Sequence, residues 1–502
     1  MKKLSQLIGV LDKAQLFRGG AQISPDDLMI NDIPVEGITY DSRKVKKDFI
    51  FACMPGFNMD GNEFVPDALK KGAGAVISNG KPDVPAGSVL VKVGDTRVSL
   101  GKLAAEFYDH PDRSLRVIGV TGTNGKTTTT YILRSILERH GKKAGLIGTI
   151  VYEAGGDSFP AGRTTPEASD IEFMFRHSAD AGEEYAVIEV SSHSLMLHRV
   201  DAIEFDQAIF TNLGLDHLDF HQTKEEYLKA KMKLFQGLDR PGAKKDKIAV
   251  VNLDDACARE IMDSTKARKI TYGFSPAAQV SAVPLHMDME KISFEMVTPA
   301  GKTDVNLKMT GKFNIYNALA AAASAIAEGI PIEEIKEGIE SVANVPGRFE
   351  KIKGRGFYVI VDYAHTPEAL KDLLIAAREL AKKKLIVVFG CGGERDRSKR
   401  PIMGEIAASC SDLCILTSDN PRREDPLRII LDTESGIQKV KPMGEYYTFV
   451  DRREAIEKAC SAAGQGDLVV IAGKGHEDYQ ILADKTIHFD DREVVREILK
   501  NS

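Results

Sequence analysis

The stretch Thr121, Gly122, Thr123, Asn124, Gly125, Lys126, Thr127 joins a short apolar run to an amphipathic one. Glycines in such a turn let backbone N–H groups point inward onto phosphate oxygens. A lysine there can reach the terminal phosphates of a nucleotide, and a threonine hydroxyl can bind Mg²⁺. The strict Gly-x-x-x-x-Gly-Lys-Thr pattern would have glycine at position 120, where Val120 stands, so this is a variant phosphate loop. By itself it indicates nucleoside-triphosphate binding and not the reaction. Glu189 and His217 each follow a strand-like run. Taken alone, His217 reads better as a helix cap or a satisfied polar residue, which its place in Asp216-His217 after a strand reverses, and Lys231, in a lysine-rich helical stretch, reads as a solvated lysine. Three further loops carry charge: Gly390–Arg395, Asp419-Asn420-Pro421-Arg422 and Gly473–Glu477. Arg395 and Arg422 can grip a carboxylate and Glu477 an ammonium, so together they suit an amino-acid end. On its own, Asp-Asn-Pro-Arg is a surface-turn sequence.

These groups need a scaffold that gathers them. The chain of 502 residues is too long for one ordinary core. Helical patterns stop at turn-forming clusters near Tyr108–Arg113 and Asn344–Arg348, which divides it into residues 1–112, 113–345 and 346–502. Buried strands are expected at Arg116–Val120, Tyr185–Val190, Gln207–Phe210 and Lys247–Asn252, with a helix from about Thr127 and another over Lys224–Phe235. The last segment repeats the rhythm, with strands at Tyr358–Val361, Leu385–Phe389, Leu413–Thr417 and Leu468–Ala472. Strand–helix alternation implies an α/β protein whose parallel sheets are covered on both faces, with ligands beyond the carboxyl ends of the strands. Nearly every residue singled out above follows a strand.

The composition, 43% hydrophobic and 28% charged, is that of a globular chain. A net charge of −6 argues against nucleic acid as a partner. The apolar runs are too short to span a bilayer, and Ser5, Gln6 and Asp12 interrupt any signal-peptide core, so a cytoplasmic location without membrane insertion is expected. The six cysteines include no Cys-x-x-Cys pair and read as buried free thiols.

In order along the chain, the phosphate loop is joined by Arg163-Thr164-Thr165-Pro166, Glu189-Val-Ser191-Ser-His193 and Thr211–His221. These are followed by Ala230-Lys231, Gly311-Lys-Phe-Asn314, Asn317, Pro346-Gly-Arg348, Asp362-Tyr-Ala-His365 and Lys474–Glu477. The ordered set resembles the Mur ligases. That resemblance implies three domains: a smaller mixed α/β N-terminal domain for the UDP-substrate, a central P-loop-type parallel sheet for ATP, and a C-terminal Rossmann-like sheet for the incoming amino acid. It implies amide formation through an acyl phosphate in peptidoglycan precursor synthesis, using ATP and Mg²⁺, by a monomer. Lys126, Glu189, His217 and Lys231 would be the catalytic residues. Thr127, Glu189, His217 and Lys231, the last as a carbamate, would be the metal ligands. A carbamate needs a free amine, hence a depressed lysine pKa. Asn314, Asn317, Arg348, Asp362 and His365 would complete the ATP site. Ser42, Asn58, Arg163, Thr164, Thr165, Ser191 and Arg199 would hold the UDP-muramoyl dipeptide. Asp-Asn-Pro-Arg is the family's diaminopimelate signature, which implies meso-diaminopimelate as the nucleophile, held by Arg395, Asp419, Asn420, Pro421, Arg422, Gly473 and Glu477. Glu394 stands where the family more often has Asp. The competing readings are a lysine- or dipeptide-adding Mur-type ligase, a folylpolyglutamate-type ligase, a motion-coupled ATPase and a non-catalytic homologue.

Overall fold

The computed structural model describes residues 2–56, 59–214 and 216–501. Three sheets organise these residues. In the N-terminal part, strands β1 (Gln15–Arg18), β2 (Ala21–Ile23), β3 (Gly37–Thr39), β4 (Phe49–Ala52), β5 (Ala75–Ser78) and β6 (Val89–Lys92) form a mixed six-stranded sheet in the order β2-β1-β6-β5-β4-β3. Helix α1 (Thr96–Phe107) follows, capped by the Asp95 carboxylate, which accepts from the amides of Arg97 and Val98.

The central sheet is built on β7 (Arg116–Thr121), a β-branched run whose Val117, Ile118 and Val120 are fully buried. Helix α2 (Lys126–Arg139) leaves its carboxyl end. Next come β8 (Ala144–Ile147), β9 (Val151–Ala154), β10 (Asp157–Pro160), α3 (Ala168–Asp180) and β11 (Tyr185–Glu189). The chain continues with α4 (Ser192–Met196), β12 (Gln207–Phe210), α5 (Lys224–Leu238), β13 (Ile248–Asn252) and β14 (Arg268–Gly273). It closes with β15 (Val280–Met287), β16 (Ile292–Thr298), β17 (Gly301–Leu307), α6 (Lys312–Ala327) and α7 (Ile332–Ser341). The strand order is β10-β9-β8-β11-β7-β12-β13-β14-β15-β16-β17. From β8 to β15 neighbours are parallel, and one apolar cluster lies on each face of the sheet.

The expected parallel sheet forms the centre, and antiparallel strands extend it at both edges, where β8-β9-β10 and β15-β16-β17 pair antiparallel. The reason is local. The Gly155-Gly156 turn has positive φ at both residues and closes a tight hairpin, and β16 buries alternate residues, as a strand with one wet face does.

The C-terminal sheet comprises β18 (Glu350–Lys353), β19 (Tyr358–Asp362), β20 (Leu385–Phe389), β21 (Leu413–Thr417), β22 (Tyr446–Phe449) and β23 (Leu468–Ala472). Their order is β18-β19-β23-β20-β21-β22, parallel except for β18. Helices α8 (Pro367–Leu380), α9 (Lys399–Cys410), α10 (Pro426–Ile437), α11 (Arg452–Ala462) and α12 (Asp491–Asn501) cover it. Strand β22 and the β24 (Tyr479–Ile481)–β25 (Thr486–His488) hairpin carry no long apolar run and escape a reading based on hydrophobic stretches.

Beneath the carboxyl ends of β21 and β23 lies a wholly buried pair. Arg452 Nη2 and Nε each donate to Asp491 at 2.7 Å, and Nη2 also donates to the Ala472 carbonyl at 3.1 Å. Asp491→Asn keeps the shape and removes the charge. It is expected to cost about 3–5 kcal/mol of stability, seen as faster hydrogen exchange of β21 and β23 amides. Unchanged exchange there would mean that the pair is not what holds these strand ends. Among the described residues no helix is long and apolar enough to cross a membrane.

Candidate active site

The phosphate loop occupies the carboxyl end of β7. Parallel register sets Glu189 beside Val120 and Phe210 beside Thr121, so the ends of β11 and β12 flank the loop. Two of its glycines are conformationally required. Gly122 and Gly125 have φ of +154° and +87°, and a Cβ would run into Thr211 Oγ1 at the first and Asn317 Oδ1 at the second. The segment after β12 braces the loop from outside. Asn124 N donates to Asn212 Oδ1 at 2.9 Å, Thr211 Oγ1 to the Asn124 carbonyl at 2.6 Å, and Gly214 N to Thr123 Oγ1 at 2.9 Å.

Lys126 Nζ donates to the Gly122 and Thr123 carbonyls at 2.9 Å each. Burial lowers its pKa, against the pull of Glu189 and Asp216. Glu189 is buried and accepts from Thr127 Oγ1 at 3.0 Å, from Thr149 N at 2.8 Å and from Thr149 Oγ1 at 3.0 Å. His217, at φ +55°, turns its ring edge-on to His193 at 4.7 Å and to Tyr227 at 6.2 Å.

Lys231 is 1% exposed, which removes the reading of a solvated lysine. Its Nζ lies 4.1 Å from the centre of the Tyr227 ring, and the Tyr227 hydroxyl meets Thr123 Oγ1 at 3.2 Å. Burial, and then the nearby Lys126 ammonium, push its pKa well below the usual lysine range. Phosphate loop, Glu189, His217 and Lys231 are therefore neighbours. Among the described residues no group of three or more His, Cys, Asp or Glu converges as in a site built from those ligands alone. The hard-oxygen donors adjacent here are Thr127 Oγ1 and the Glu189 carboxylate.

From the C-terminal part, Arg348 Nη2 donates to Thr127 Oγ1 at 3.3 Å and its guanidinium stacks on Tyr363. Asp362 accepts from the amides of Phe349 at 2.7 Å and Ala364 at 2.8 Å, fixing the turn that carries Arg348. His365 Nδ1 bonds the Tyr363 carbonyl at 2.8 Å. Asn317 is buried against the phosphate loop, and Asn314 stands behind it, with its Oδ1 3.0 Å from Asn317 Nδ2.

The candidate dipeptide residues line the boundary with the N-terminal sheet. Thr149 Oγ1, its proton given to Glu189, lies 3.1 Å from Thr164 Oγ1 and accepts from it, and Thr165 Oγ1 donates to the Glu189 carbonyl at 2.7 Å. Ser191 caps α4 through the Ser194 amide. Arg163 and Arg199 both pair with Glu167. Ser42 is half-buried, its carbonyl accepting from Lys71. Asn58 lies outside the described residues.

The three rim loops meet, because β23, β20 and β21 are parallel neighbours. Arg422, at φ +53°, donates to the Gly393 carbonyl at 2.9 Å. A Cβ on Gly392 would lie 3.1 Å from Arg422 Nη1 and 3.7 Å from Arg395 Cγ, so both arginines flank one loop. Asn420 Nδ2 donates to Glu477 Oε2 at 2.9 Å, and the fully buried Lys474 Nζ lies 3.3 Å from both Glu477 Oε2 and Asn420 Oδ1. Asp419 accepts from the Asn420 amide at 2.6 Å and backs onto Gly473; the Pro421 carbonyl packs against Gly393. Sequence reasoning named Lys474 only as part of its motif, with no role of its own, and passed over Thr149 and the buried Arg400, which pairs with Glu424 and Asp432 under the rim. For Arg400 nothing in the local sequence marks burial.

Fold and site together define a multidomain P-loop enzyme with a second, charge-lined sheet. Three family models match in order: the Mur ligase family catalytic domain over residues 34–108, the Mur ligase middle domain over 120–325, and the Mur ligase glutamate ligase domain over 347–475. The UDP-N-acetylmuramoyl-L-alanyl-D-glutamate–2,6-diaminopimelate ligase of Caldanaerobacter subterraneus subsp. tengcongensis is 45% identical over 94% of this chain and 96% of its own. Its namesake from Syntrophomonas wolfei is 47% identical over 93% and 95%. A solved structure of an enzyme of that name superposes with a TM-score of 0.63 at 32% identity, covering 93% of this chain and 95% of its own. The chain belongs to the Mur ligase family.

Proposed function

We propose that the chain is an ATP-dependent ligase that joins meso-2,6-diaminopimelate to the D-glutamate of UDP-N-acetylmuramoyl-L-alanyl-D-glutamate, a cytoplasmic step of peptidoglycan precursor synthesis carried out by a monomer. Residues 1–112 receive the UDP end, 113–345 ATP, and 346–502 the amino acid. The phosphate-loop amides and Lys126 hold the triphosphate, and Arg348 reaches the same end from the C-terminal sheet. The glutamate carboxylate takes the γ-phosphoryl group, giving an acyl phosphate and ADP. The diaminopimelate amine then attacks that carbonyl and phosphate leaves. Mg²⁺ fits the donors present, with the Thr127 hydroxyl and the Glu189 carboxylate, assisted by His217 and a carbamylated Lys231, as its holders. When bound it would neutralise phosphoryl charge.

The observation that carries the choice of nucleophile is the meeting of Arg395, Asn420, Arg422 and Glu477 on one rim. Diaminopimelate has an amino-acid group at each end, so one reacts while the other is gripped. The test is mass spectrometry of the product formed from ATP, the UDP-muramoyl dipeptide and an equimolar mixture of lysine and diaminopimelate. A diaminopimelate adduct is expected. A predominant lysine adduct would overturn the assignment in favour of the lysine-adding reaction, and phosphate release without any amine would point to an uncoupled ATPase.

A further inference from the structure

Three guanidinium groups converge on one carboxylate between the N-terminal and central sheets. Glu167, its side chain 5% exposed, pairs with Arg163, with Arg199 Nη2 at 2.9 Å and with Arg97 Nη1 at 3.7 Å. Arg97 comes from the first turn of α1 in the N-terminal part; the other two come from the central part. Arg163 is half exposed and solvated, so the buried part of the cluster sets two guanidiniums, Arg97 and Arg199, against the one carboxylate of Glu167. Asp170 close by is engaged by the Tyr40 hydroxyl at 2.9 Å. Two buried donors, Arg97 Nη1 and Arg199 Nε, have no hydrogen-bond partner. A buried charged donor without an acceptor is costly, and such groups persist where a ligand completes them. An ion pair that served only to join two domains would need one arginine.

The position of Arg97 indicates what completes it. Its Nη2 donates to the Pro55 carbonyl at 2.6 Å, at the base of the loop that leads to Asp60 and Gly61, while Nη1 faces Glu167 and Arg199. Arg199 in turn donates to the Thr165 carbonyl at 3.1 Å, next to the end of β11. Arg97 thus stands between the part of the chain read as taking the nucleotide and the part read as taking the peptide.

We propose that Arg97 is a binding residue for the nucleotide–peptide substrate, donating from the N-terminal side to an anionic oxygen that Arg199 grips from the central side. This rests on the substrate class proposed above. The chemistry is that of an arginine fork on oxyanions, and the substrate offers two: the pyrophosphate, and the glutamate carboxylate that is not activated. Arg97 shares the substrate between two domains, so its loss raises the KM for the nucleotide–peptide more than it lowers kcat.

The experiment uses the full-length chain. Binding of the UDP-muramoyl dipeptide and of the same nucleotide lacking its glutamate is measured by calorimetry for the wild type, Arg97→Ala and Arg97→Lys. KM values for all three substrates follow from amide formation. Arg97→Ala is expected to weaken dipeptide binding about 10- to 100-fold, with the KM for ATP unchanged and partial recovery in Arg97→Lys. Equal weakening of the truncated nucleotide assigns the pyrophosphate, and weakening confined to the full dipeptide assigns the carboxylate. Dipeptide affinity within twofold of wild type in Arg97→Ala overturns the proposal. If Arg97→Ala fails to fold, Arg97→Gln, which keeps length and removes the charge, takes its place, and dipeptide affinity within twofold of wild type there overturns the proposal. An inactive wild type would instead refute the substrate assignment, so the two failures are distinct.

Discussion

Lys231→Ala is expected to lower the rate of amide formation about a hundredfold to a thousandfold, and added formate or acetate to restore part of it. The magnitude is that of removing one preorganised electrostatic group from a water-poor site. Lys231 sits on the buried face of α5, over the Tyr227 ring, close enough to Lys126 for the two cations to repel. A lysine held there as an ammonium would set a second buried cation beside Lys126, against which Asp216 pulls the other way. Held as a free amine, as its lowered pKa favours, it can add CO₂ and become an anion.

Because the folded pKa is below the unfolded one, folding expels a proton, and this group opposes stability at neutral pH, less so as pH rises toward the ordinary lysine value. Lys231→Ala therefore loses a destabilising ionisation along with its side chain, and a collapse of activity with an intact thermal midpoint separates chemistry from misfolding. Steady-state rates with and without a small carboxylate are the measurement. Full activity in the unrescued variant would end the carbamate assignment.

Arg422→Ala is expected to raise the KM for diaminopimelate about a hundredfold to a few thousandfold while leaving the KM for ATP nearly unchanged. Arg422 reaches the Gly393 carbonyl from a left-handed backbone position, so its guanidinium is aimed at the rim by strained geometry. Removing one partner of a buried, charge-assisted contact costs about 3–5 kcal/mol, and each 1.4 kcal/mol or so is tenfold. The same arithmetic bears on lysine, which lacks the distal carboxylate and would leave the wild-type arginine unpaired. The two defects should therefore not add: Arg422→Ala is expected to bring the KM values for lysine and diaminopimelate together. Initial-rate kinetics with each amine decide it. A defect confined to ATP would place Arg422 in the nucleotide site instead.

Much of this was legible before any coordinates. The glycine pattern from Thr121 to Thr127 and the apolar run ahead of it located the phosphate loop, since few other residue types tolerate those backbone angles. The buried strands of both parallel sheets announced themselves as short β-branched runs. Lys231 was also within reach of periodicity: Tyr227, Leu234 and Phe235 lie four before, three after and four after it, so all share its helical face, and Lys229 does not. The wet-edged strands were harder, because alternate polar residues in β16 and the polar β22 dilute the apolar signal that marks an interior strand.

What the chain order alone determines is therefore local: which segments turn, which run straight and which are amphipathic, because backbone angles and side-chain periodicity act over a few residues. Which distant groups become neighbours was decided by tertiary structure. Strands β23, β20 and β21 had to line up for Arg422, Arg395 and Glu477 to share a rim, and the N-terminal part had to settle on α3 for Arg97 to face Glu167. Such contacts join residues tens to hundreds of positions apart, and their cause is the burial of sheet faces and the pairing of buried charge, which no local window contains.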